Sequence, residues 1–217
     1  MISQLRFFTI YILHKLWDST QLPTRKFDAY LPYVPSQKET WDFIQSFSNL
    51  KHKAILALMY SAGLRVGEVC ALRYDDISRS SMRIHIHHSK ARSDRYAILS
   101  PLALEILTAY WFANGKPRGW LFPKSNNPEQ HMVSYTVNQF IFAKESDLGL
   151  RHRLTCHSFR HAFGTHLYEN GADLLTIKSL LGHKSLNSTT IYVHLASNSH
   201  ANAVSPFDQI GGTYDRL

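Results

Sequence analysis

Hydrophobic residues recur every three or four positions along most of this chain, which is the period of an α-helix with one buried face. The first such segment, residues 5–17, places Leu5, Phe8, Ile12 and Leu16 on one face. Further helices are predicted at residues 36–47, 51–62, 101–113, 133–145, 156–169, 173–181 and 188–195, with a short one ending at Leu72. The pattern therefore indicates a mainly helical protein.

Residues typical of helix ends support several of these boundaries. Ser36 and Glu39 form a capping-box pattern, in which the hydroxyl accepts from the amide three residues on and the carboxylate reaches back. Gly63, Gly171 and Gly182 follow predicted helices, where glycine adopts the left-handed conformation at little cost.

Hydrophobic and polar residues alternate in one short region. Met82, Ile84 and Ile86 alternate with polar residues, and a second extended run follows at residues 96–99. This pattern predicts a β-hairpin that turns near residues 89–94. The predicted fold class is mainly α with a small antiparallel β-sheet (α+β).

The first 35 residues differ from the rest, because their helix is followed by a stretch interrupted by Pro23, Pro32 and Pro35. We predict three parts: a helix and linker at 1–35, the main domain at 36–207, and a C-terminal tail at 208–217.

Composition narrows the class of protein. The chain has 217 residues, 44% of them apolar, enough for one packed domain with an appendage. A formal charge of +8 and a pI near 9.5 indicate a polyanionic partner, with nucleic acid favoured over an anionic membrane. Leu5–Leu13 is too short to span a bilayer, and Cys70 and Cys156 are too few for a disulfide framework. A soluble, intracellular protein with reduced cysteines is expected.

Several residues suited to phosphate chemistry lie near predicted helix ends and in the hairpin turn. Arg65 follows Gly63, and Glu68 is placed to pair with it at i, i+3. Lys90 lies in the turn of a basic hairpin. Taken singly, a solvated arginine and a solvated turn lysine are ordinary interpretations of these residues.

A second group lies in the C-terminal part of the chain. His157 and Arg160 share a helix face near the N-terminal end, which favours anions. His183 follows a predicted helix end, and Tyr192 lies in the segment Thr189–His194. A helix cap and a packing residue are the ordinary interpretations of His183 and Tyr192.

Five motifs that contain these residues occur in one order. They are GLRVGE at 63–68, SKARSDR at 89–95, HSFRH at 157–161, LGH at 181–183 and TTIYVH at 189–194, and Tyr192 is the ninth residue after His183. Over about residues 31–207 the chain resembles the tyrosine recombinase (phage integrase) family, the Xer and integron-integrase branch in particular. Ser205–Asp208 is similar to the tail of integron-type enzymes.

The resemblance implies the catalytic-domain fold of that family and a site-specific recombinase that cuts and rejoins double-stranded DNA through a 3′-phosphotyrosyl intermediate. Tyr192 would attack the phosphate. Arg65 and Arg160 would hold its non-bridging oxygens, because a guanidinium offers a planar fork of donors and keeps its charge. Lys90 would protonate the leaving 5′-oxygen, and His157 would assist proton movement at Tyr192.

The resemblance also implies supporting roles. His183 would donate a hydrogen bond to the phosphate or position its neighbours, and Glu68 would orient Arg65. Weaker DNA contacts are expected from Arg92, Arg95 and Lys184. No metal and no other cofactor is implied, because the arginines supply the charge that a metal ion supplies in nucleases.

The chain departs from the family pattern in two places. Ser89 and Ala91 flank Lys90 where members often have glycines, so Arg92 is an alternative general acid. Residues 1–35 resemble only the last helix and linker of the family's N-terminal core-binding domain. A shortened protein is therefore expected, with weak DNA binding that falls steeply with salt.

The implied partner is double-stranded DNA, with four protomers assembled on two duplexes and a monomer or weak dimer in its absence. The tetramer would be joined through the segment beyond Tyr192. The implied location is the cytoplasm of a prokaryotic cell.

Three other functions are considered. A DNA-binding remnant of such an enzyme would occupy sites without recombining them, and a type IB topoisomerase would relax strands without exchanging them. A zinc hydrolase would use His157, His161 and His166, but no glutamate stands between the first two as H-E-x-x-H requires. His161 is instead expected to bond an acceptor within the fold.

Overall fold

The computed structural model of the protein describes residues 2–17, 31–87 and 94–196. Its internal contacts divide the chain into two units, Met1–Leu31 and Pro32–Leu217. Among the described residues, no helix is both long enough and apolar enough to cross a membrane.

The first unit contains one helical segment. Helix α1 spans Ile2–Phe7 and continues as a π-helical stretch over Phe8–Ile12. The observed helical segment therefore begins before residue 5 and ends before residue 17, the two predicted bounds. A π-helical turn holds more residues than an α-turn, so the predicted α-helical spacing of Phe8 and Ile12 does not hold.

The described part of the second unit contains eight α-helices. They are α2 (Gln37–Gln45), α3 (Leu50–Ser61), α4 (Val66–Cys70), α5 (Pro101–Ala113), α6 (Ser134–Leu148), α7 (Cys156–Glu169), α8 (Leu174–Leu181) and α9 (Ile191–Leu195). The predicted helices of the main domain are confirmed. The last one starts at Ile191 rather than at 188, because Leu186–Ser188 forms a 3-10 turn.

Side-chain caps set the start of helices α2 and α7. The predicted capping box is present at α2, where the Glu39 amide donates to Ser36 Oγ and the Ser36 amide donates to Glu39 Oε2. At α7, Thr155 and Ser158 form a similar reciprocal pair. This cap starts α7 at Cys156 and so positions the HSFRH motif on the helix.

The sheet has three antiparallel strands in the order β1 (Ile77–Ser78), β2 (Arg83–Ile86) and β3 (Arg95–Ile98). Arg83 pairs with Ile98, and Ile86 with Arg95, so the predicted hairpin is confirmed; its turn lies outside the described residues. Strand β1 was not predicted, because two residues are too few to show an alternating pattern.

Helix α3 lies at the centre of the core. Ala54, Ile55, Leu56, Leu58 and Met59 are fully buried, so α3 is apolar around most of its circumference, as expected of a central helix. It packs against α5 and α7. The turn that follows α3 also contacts α7, because Arg160 donates to the Gly63 carbonyl.

Candidate active site

Arg65 is held at the start of α4 by Glu68. The Arg65 amide donates to Glu68 Oε2 over 2.9 Å, and its guanidinium Nη1 donates to Oε1 over 2.7 Å. The predicted i, i+3 pair is therefore present. One quarter of the Arg65 side chain stays exposed, so the guanidinium keeps a face that a ligand can reach.

Arg95 shares the same carboxylate. Its two terminal nitrogens each donate over 2.8 Å to one oxygen of Glu68, and its Nε donates to the Leu180 carbonyl over 3.2 Å. The side chain is only 10% exposed. Arg95 was expected to contact DNA, but the structure makes it a link between β3, α4 and the end of α8.

The pKa of Glu68 reflects these two arginines. Burial alone would raise the pKa, but the pairs with Arg95 and Arg65 outweigh burial and lower it to about 2. Glu68 is therefore ionised throughout the neutral range. Three arginines around one carboxylate (Arg65, Arg95 and Arg160) leave the cluster with a surplus of positive charge.

Arg160 projects from α7 into the interior and is 5% exposed. Its Nη1 donates to the Gly63 carbonyl and its Nη2 to the Leu181 carbonyl, over 2.5 and 2.6 Å. Burial and then the nearby Arg65 lower its pKa to about 10, so it is still a cation at neutral pH. A guanidinium has five donors, and the remaining ones can bind an anion.

Gly63 makes the Arg160 contact possible. Its φ is +61°, and a Cβ there would overlap the Phe163 ring and come within 2.7 Å of the Leu181 side chain. Only glycine lets the chain turn out of α3 at this distance from α7. The carbonyl of Gly63 then faces Arg160.

His183 lies directly after α8, next to the arginines. Its Nδ1 is 3.0 Å from Thr189 Oγ1, and Thr189 is fully buried. Burial first, and then Arg160 and Arg65, lower the pKa of His183 to about 4. The imidazole is therefore neutral at pH 7 and serves as a hydrogen-bonding group rather than a cation. Thr189 lies within the TTIYVH motif, but sequence analysis assigned it no role.

Tyr192 lies on α9 with only 1% of its surface exposed. Its ring centroid is 6.2 Å from that of His183 and 6.1 Å from that of His161. Burial raises the pKa of the phenol, while Arg160 and then Arg65 act in the opposite direction. The phenol is therefore protonated at rest and close to two cations that would stabilise the phenolate.

Gly164 on α7 makes room for the Tyr192 ring. An added Cβ would lie 2.5 Å from Tyr192 Cζ and 2.6 Å from Cε1. In Gly164→Ala we expect the ring to move and any reaction of the phenol to slow by about 100-fold, because an error of about 1 Å in position has that effect. DNA-cleavage rates would be compared with Gly119→Ala, where a Cβ meets nothing within 4 Å. Equal rates in the two variants would contradict this packing role.

The other predicted site residues are exposed or lie outside the described residues. His157 is exposed on the first turn of α7, with its ring centroid 6.5 Å from that of His161, and Lys184 is exposed just after His183. Lys90 and Arg92 fall at 88–93, outside the described residues. Their roles stay predictions.

The histidines considered for zinc do not form a site. Within the described ranges, the single group of three potential metal ligands contains none of His157, His161 and His166. His166 Nδ1 is 3.0 Å from Tyr60 Oη. The prediction that His161 bonds an acceptor is wrong for its Nδ1, which is buried and has no hydrogen bond among the described residues.

Comparison with known proteins places this arrangement in a family. Residues 37–199 match the model of the phage integrase family. The chain is 40% identical over 211 residues to the integrase/recombinase-like y4eF of Sinorhizobium fredii (95% of this chain, 82% of that one). It is 33% identical over 222 residues to tyrosine recombinase XerD of Lacticaseibacillus casei (94% and 73%).

A solved structure agrees with the fold. The XerH site-specific recombinase bound to its difH substrate has a TM-score of 0.69 and 20% identity, covering 98% of this chain and 62% of that one. The chain belongs to the phage integrase family of tyrosine recombinases and has the fold of its catalytic domain, as predicted.

The ion pairs that Glu68 forms with Arg65 and Arg95 make the free energy of unfolding depend on pH. Because the folded-state pKa lies below the ordinary value of 4.5, the stabilisation is present above pH 4.5 and is lost as the pH falls toward 2. We expect protonation of Glu68 to lower the free energy of unfolding by roughly 2 kcal/mol between pH 6 and pH 3. Glu68→Gln should be less stable at pH 7 and should lack this part of the acid dependence.

Urea unfolding at pH 6 and pH 3 measures the effect, with Glu129→Gln as a control at an exposed glutamate. Parallel loss of stability in wild type and Glu68→Gln would contradict the assigned ion pairs.

Proposed function

We propose that the protein is a site-specific recombinase that cuts and rejoins double-stranded DNA through a 3′-phosphotyrosyl intermediate. The observation that carries this proposal is the convergence of Arg65, Arg160, His183 and Tyr192, which come from four separate segments of the chain. Family membership supports the same activity.

The arginines would bind the scissile phosphate. Attack on a phosphodiester concentrates negative charge on its two non-bridging oxygens, and fixed cations in a dry site stabilise that charge strongly. Arg160 is anchored through two carbonyls and Arg65 through Glu68, so neither guanidinium needs to reorganise when the charge develops. Arg95 would act indirectly, by holding Glu68.

Tyr192 would supply the nucleophile. Its Oη forms a bond to phosphorus, the bond from phosphorus to the 5′-oxygen breaks, and the strand leaves with a 5′-hydroxyl. The phenolic proton leaves Tyr192, and the departing oxygen gains a proton. The phosphotyrosyl bond keeps the free energy of the broken bond, so rejoining is the same step in reverse and needs no ATP.

Two side chains would transfer protons, and a third would donate a hydrogen bond. The neutral His183 would donate one hydrogen bond to the phosphate while Thr189 holds its Nδ1. His157 would take up the proton from Tyr192, and Lys90 would supply one to the leaving oxygen, with Arg92 as its alternative. Glu68 would orient Arg65 and exchange no proton, which agrees with its low pKa.

We further propose that this chemistry needs no metal ion, because the arginines provide the positive charge at the phosphate. Residues 1–35 would be the last helix and linker of a core-binding domain, 36–207 the catalytic domain and 208–217 a tail. The enzyme would act in the cytoplasm as a tetramer on two duplexes, with Lys184 among its weaker DNA contacts.

Covalent trapping tests the proposal. Duplexes that the protein binds would first be selected from a random pool, then nicked near each candidate scissile phosphate so that the released fragment diffuses away. A protein–DNA adduct on a denaturing gel is the expected result, with EDTA present throughout. Salt-sensitive binding without an adduct on any selected duplex would overturn the recombinase proposal in favour of a DNA-binding remnant.

A further inference from the structure

A second cluster of chemically active side chains lies at the sheet, outside the residues assigned to DNA cleavage. The ligand atoms of Asp76, His85 and His87 all lie within 4.8 Å of one another. Asp76 Oδ1 is 2.7 Å from His87 Nε2. The three side chains line a cavity of about 560 Å³.

His85 lies on β2, and His87 directly follows the last residue of that strand. Residues i and i+2 of a strand project to the same side, and His85 and His87 have ring centroids 4.0 Å apart. Ile84 and Ile86, which alternate with them, are buried in the core. The backbone thus presents two imidazoles side by side, a spacing at which both can bind one ion.

Asp76 supplies a fixed carboxylate. It is 5% exposed, and its Oδ2 accepts from the Arg73 amide over 2.7 Å, which leaves Oδ1 directed at His87. The Arg73 guanidinium lies instead over the Trp120 ring, 4.3 Å from its centroid. Within the described ranges, no lysine or arginine forms an ion pair with Asp76.

A second carboxylate and a stacked ring complete the surroundings. Asp94 Oδ2 lies 3.3 Å from His85 Nε2 and 3.6 Å from His87 Nδ1. The Tyr96 ring stacks on His85 at 4.9 Å from the neighbouring strand. A carboxylate close to a histidine ring and packing of that ring against a neighbour are features that orient histidine ligands of metal ions.

We propose that Asp76, His85 and His87 form a binding site for a divalent transition metal ion, with Zn²⁺ as the best match. Two imidazoles and a carboxylate suit zinc and its neighbours, whereas Mg²⁺ and Ca²⁺ require oxygen ligands. Tetrahedral ligands at about 2.0–2.1 Å from zinc lie about 3.3 Å apart. The three ligand atoms lie within 4.8 Å of one another, with Asp76 Oδ1 and His87 Nε2 2.7 Å apart. Asp76 is fixed and the His87 side chain is 47% exposed, so rotation of the imidazoles can bring the ligand atoms to the spacing that zinc requires.

A metal ion here would stabilise the domain. It would join the 3-10 turn Tyr74–Asp76 to β2, next to the end of the strand that enters the hairpin turn. A ligand that binds only the folded state raises the free energy of unfolding. At saturating Zn²⁺ we expect the melting temperature to rise by roughly 5 °C.

Calorimetry on protein without a histidine tag and without DNA tests the site. We expect one equivalent of Zn²⁺ to bind and Mg²⁺ not to bind. His87→Asn should weaken Zn²⁺ binding about tenfold or more, and His85→Asn with His87→Asn should abolish it and the rise in melting temperature. His152→Asn with His194→Asn removes two exposed imidazoles elsewhere and is the matched control.

Co²⁺ provides a readout that does not depend on affinity alone, because its visible absorption reports ligand number and geometry. Tetrahedral Co²⁺ bands in wild type that disappear in His87→Asn would support the site even if the double variant folds poorly. Failure to bind Zn²⁺ would overturn the proposal. So would equal Zn²⁺ affinity in wild type and the folded His87→Asn variant.

Discussion

Replacing Tyr192 by phenylalanine should remove covalent attachment to DNA and leave DNA binding intact. The variant lacks Oη, the atom that would attack phosphorus, and we expect cleavage to fall by about 10⁴-fold or more, as when other enzymes lose their nucleophile. The ring volume is unchanged, so its packing over Gly164 and beside His183 should persist. The measurement is adduct formation on nicked duplexes, with binding followed by gel shift.

Tyr168→Phe is the matched control, because it removes a hydroxyl from a partly buried tyrosine that packs against the same hydrophobic cluster as Tyr192. It should form adducts like wild type. An adduct that persists at wild-type level in Tyr192→Phe would assign the nucleophile to another residue, and equal loss in both variants would point to a general effect on the fold.

Arg160→Lys should reduce the cleavage rate by about 10²–10³-fold, even though the positive charge is kept. An ammonium group cannot donate to the Gly63 and Leu181 carbonyls and to a phosphate in the geometry of a planar guanidinium. One of these buried carbonyls would lose its partner, which costs about 1–3 kcal/mol of stability. Single-turnover cleavage, measured well below the melting temperature, separates the loss of rate from the loss of stability.

Arg153→Lys makes the same exchange at an exposed arginine, whose guanidinium lies 5.4 Å from the Phe142 ring centroid. We expect little change in its cleavage rate. A similar rate for Arg160→Lys and Arg153→Lys would rule out a specific role for the Arg160 fork at the phosphate.

The two variants test different parts of one arrangement. Tyr192→Phe removes the reacting atom from a site that otherwise stays intact. Arg160→Lys leaves the reacting atom in place and weakens the groups that would stabilise charge around it. Arg160 also joins the turn after α3 to the end of α8, so its loss should affect binding of the phosphate and packing together.

Local sequence determined most of the secondary structure. Helix α7 was predicted at 156–169 and spans Cys156–Glu169, because its amphipathic spacing and its cap are properties of neighbouring residues. The hairpin followed from alternation in the same way. Strand β1 and the π-helical stretch at Phe8–Ile12 were missed, since the first is too short for a pattern and the second breaks the regular one.

The sequence by itself also determined which residues are candidates for chemistry, because their types, order and spacing match one family. The tertiary structure decided what each of them contacts. Arg160 donates to a carbonyl 97 residues away, and Arg95 pairs with a carboxylate 27 residues away. Asp76, His85 and His87 meet only because a 3-10 turn packs beside β2. Such contacts depend on how distant segments pack. The helix and strand propensities and the spacing of neighbouring residues do not predict that packing.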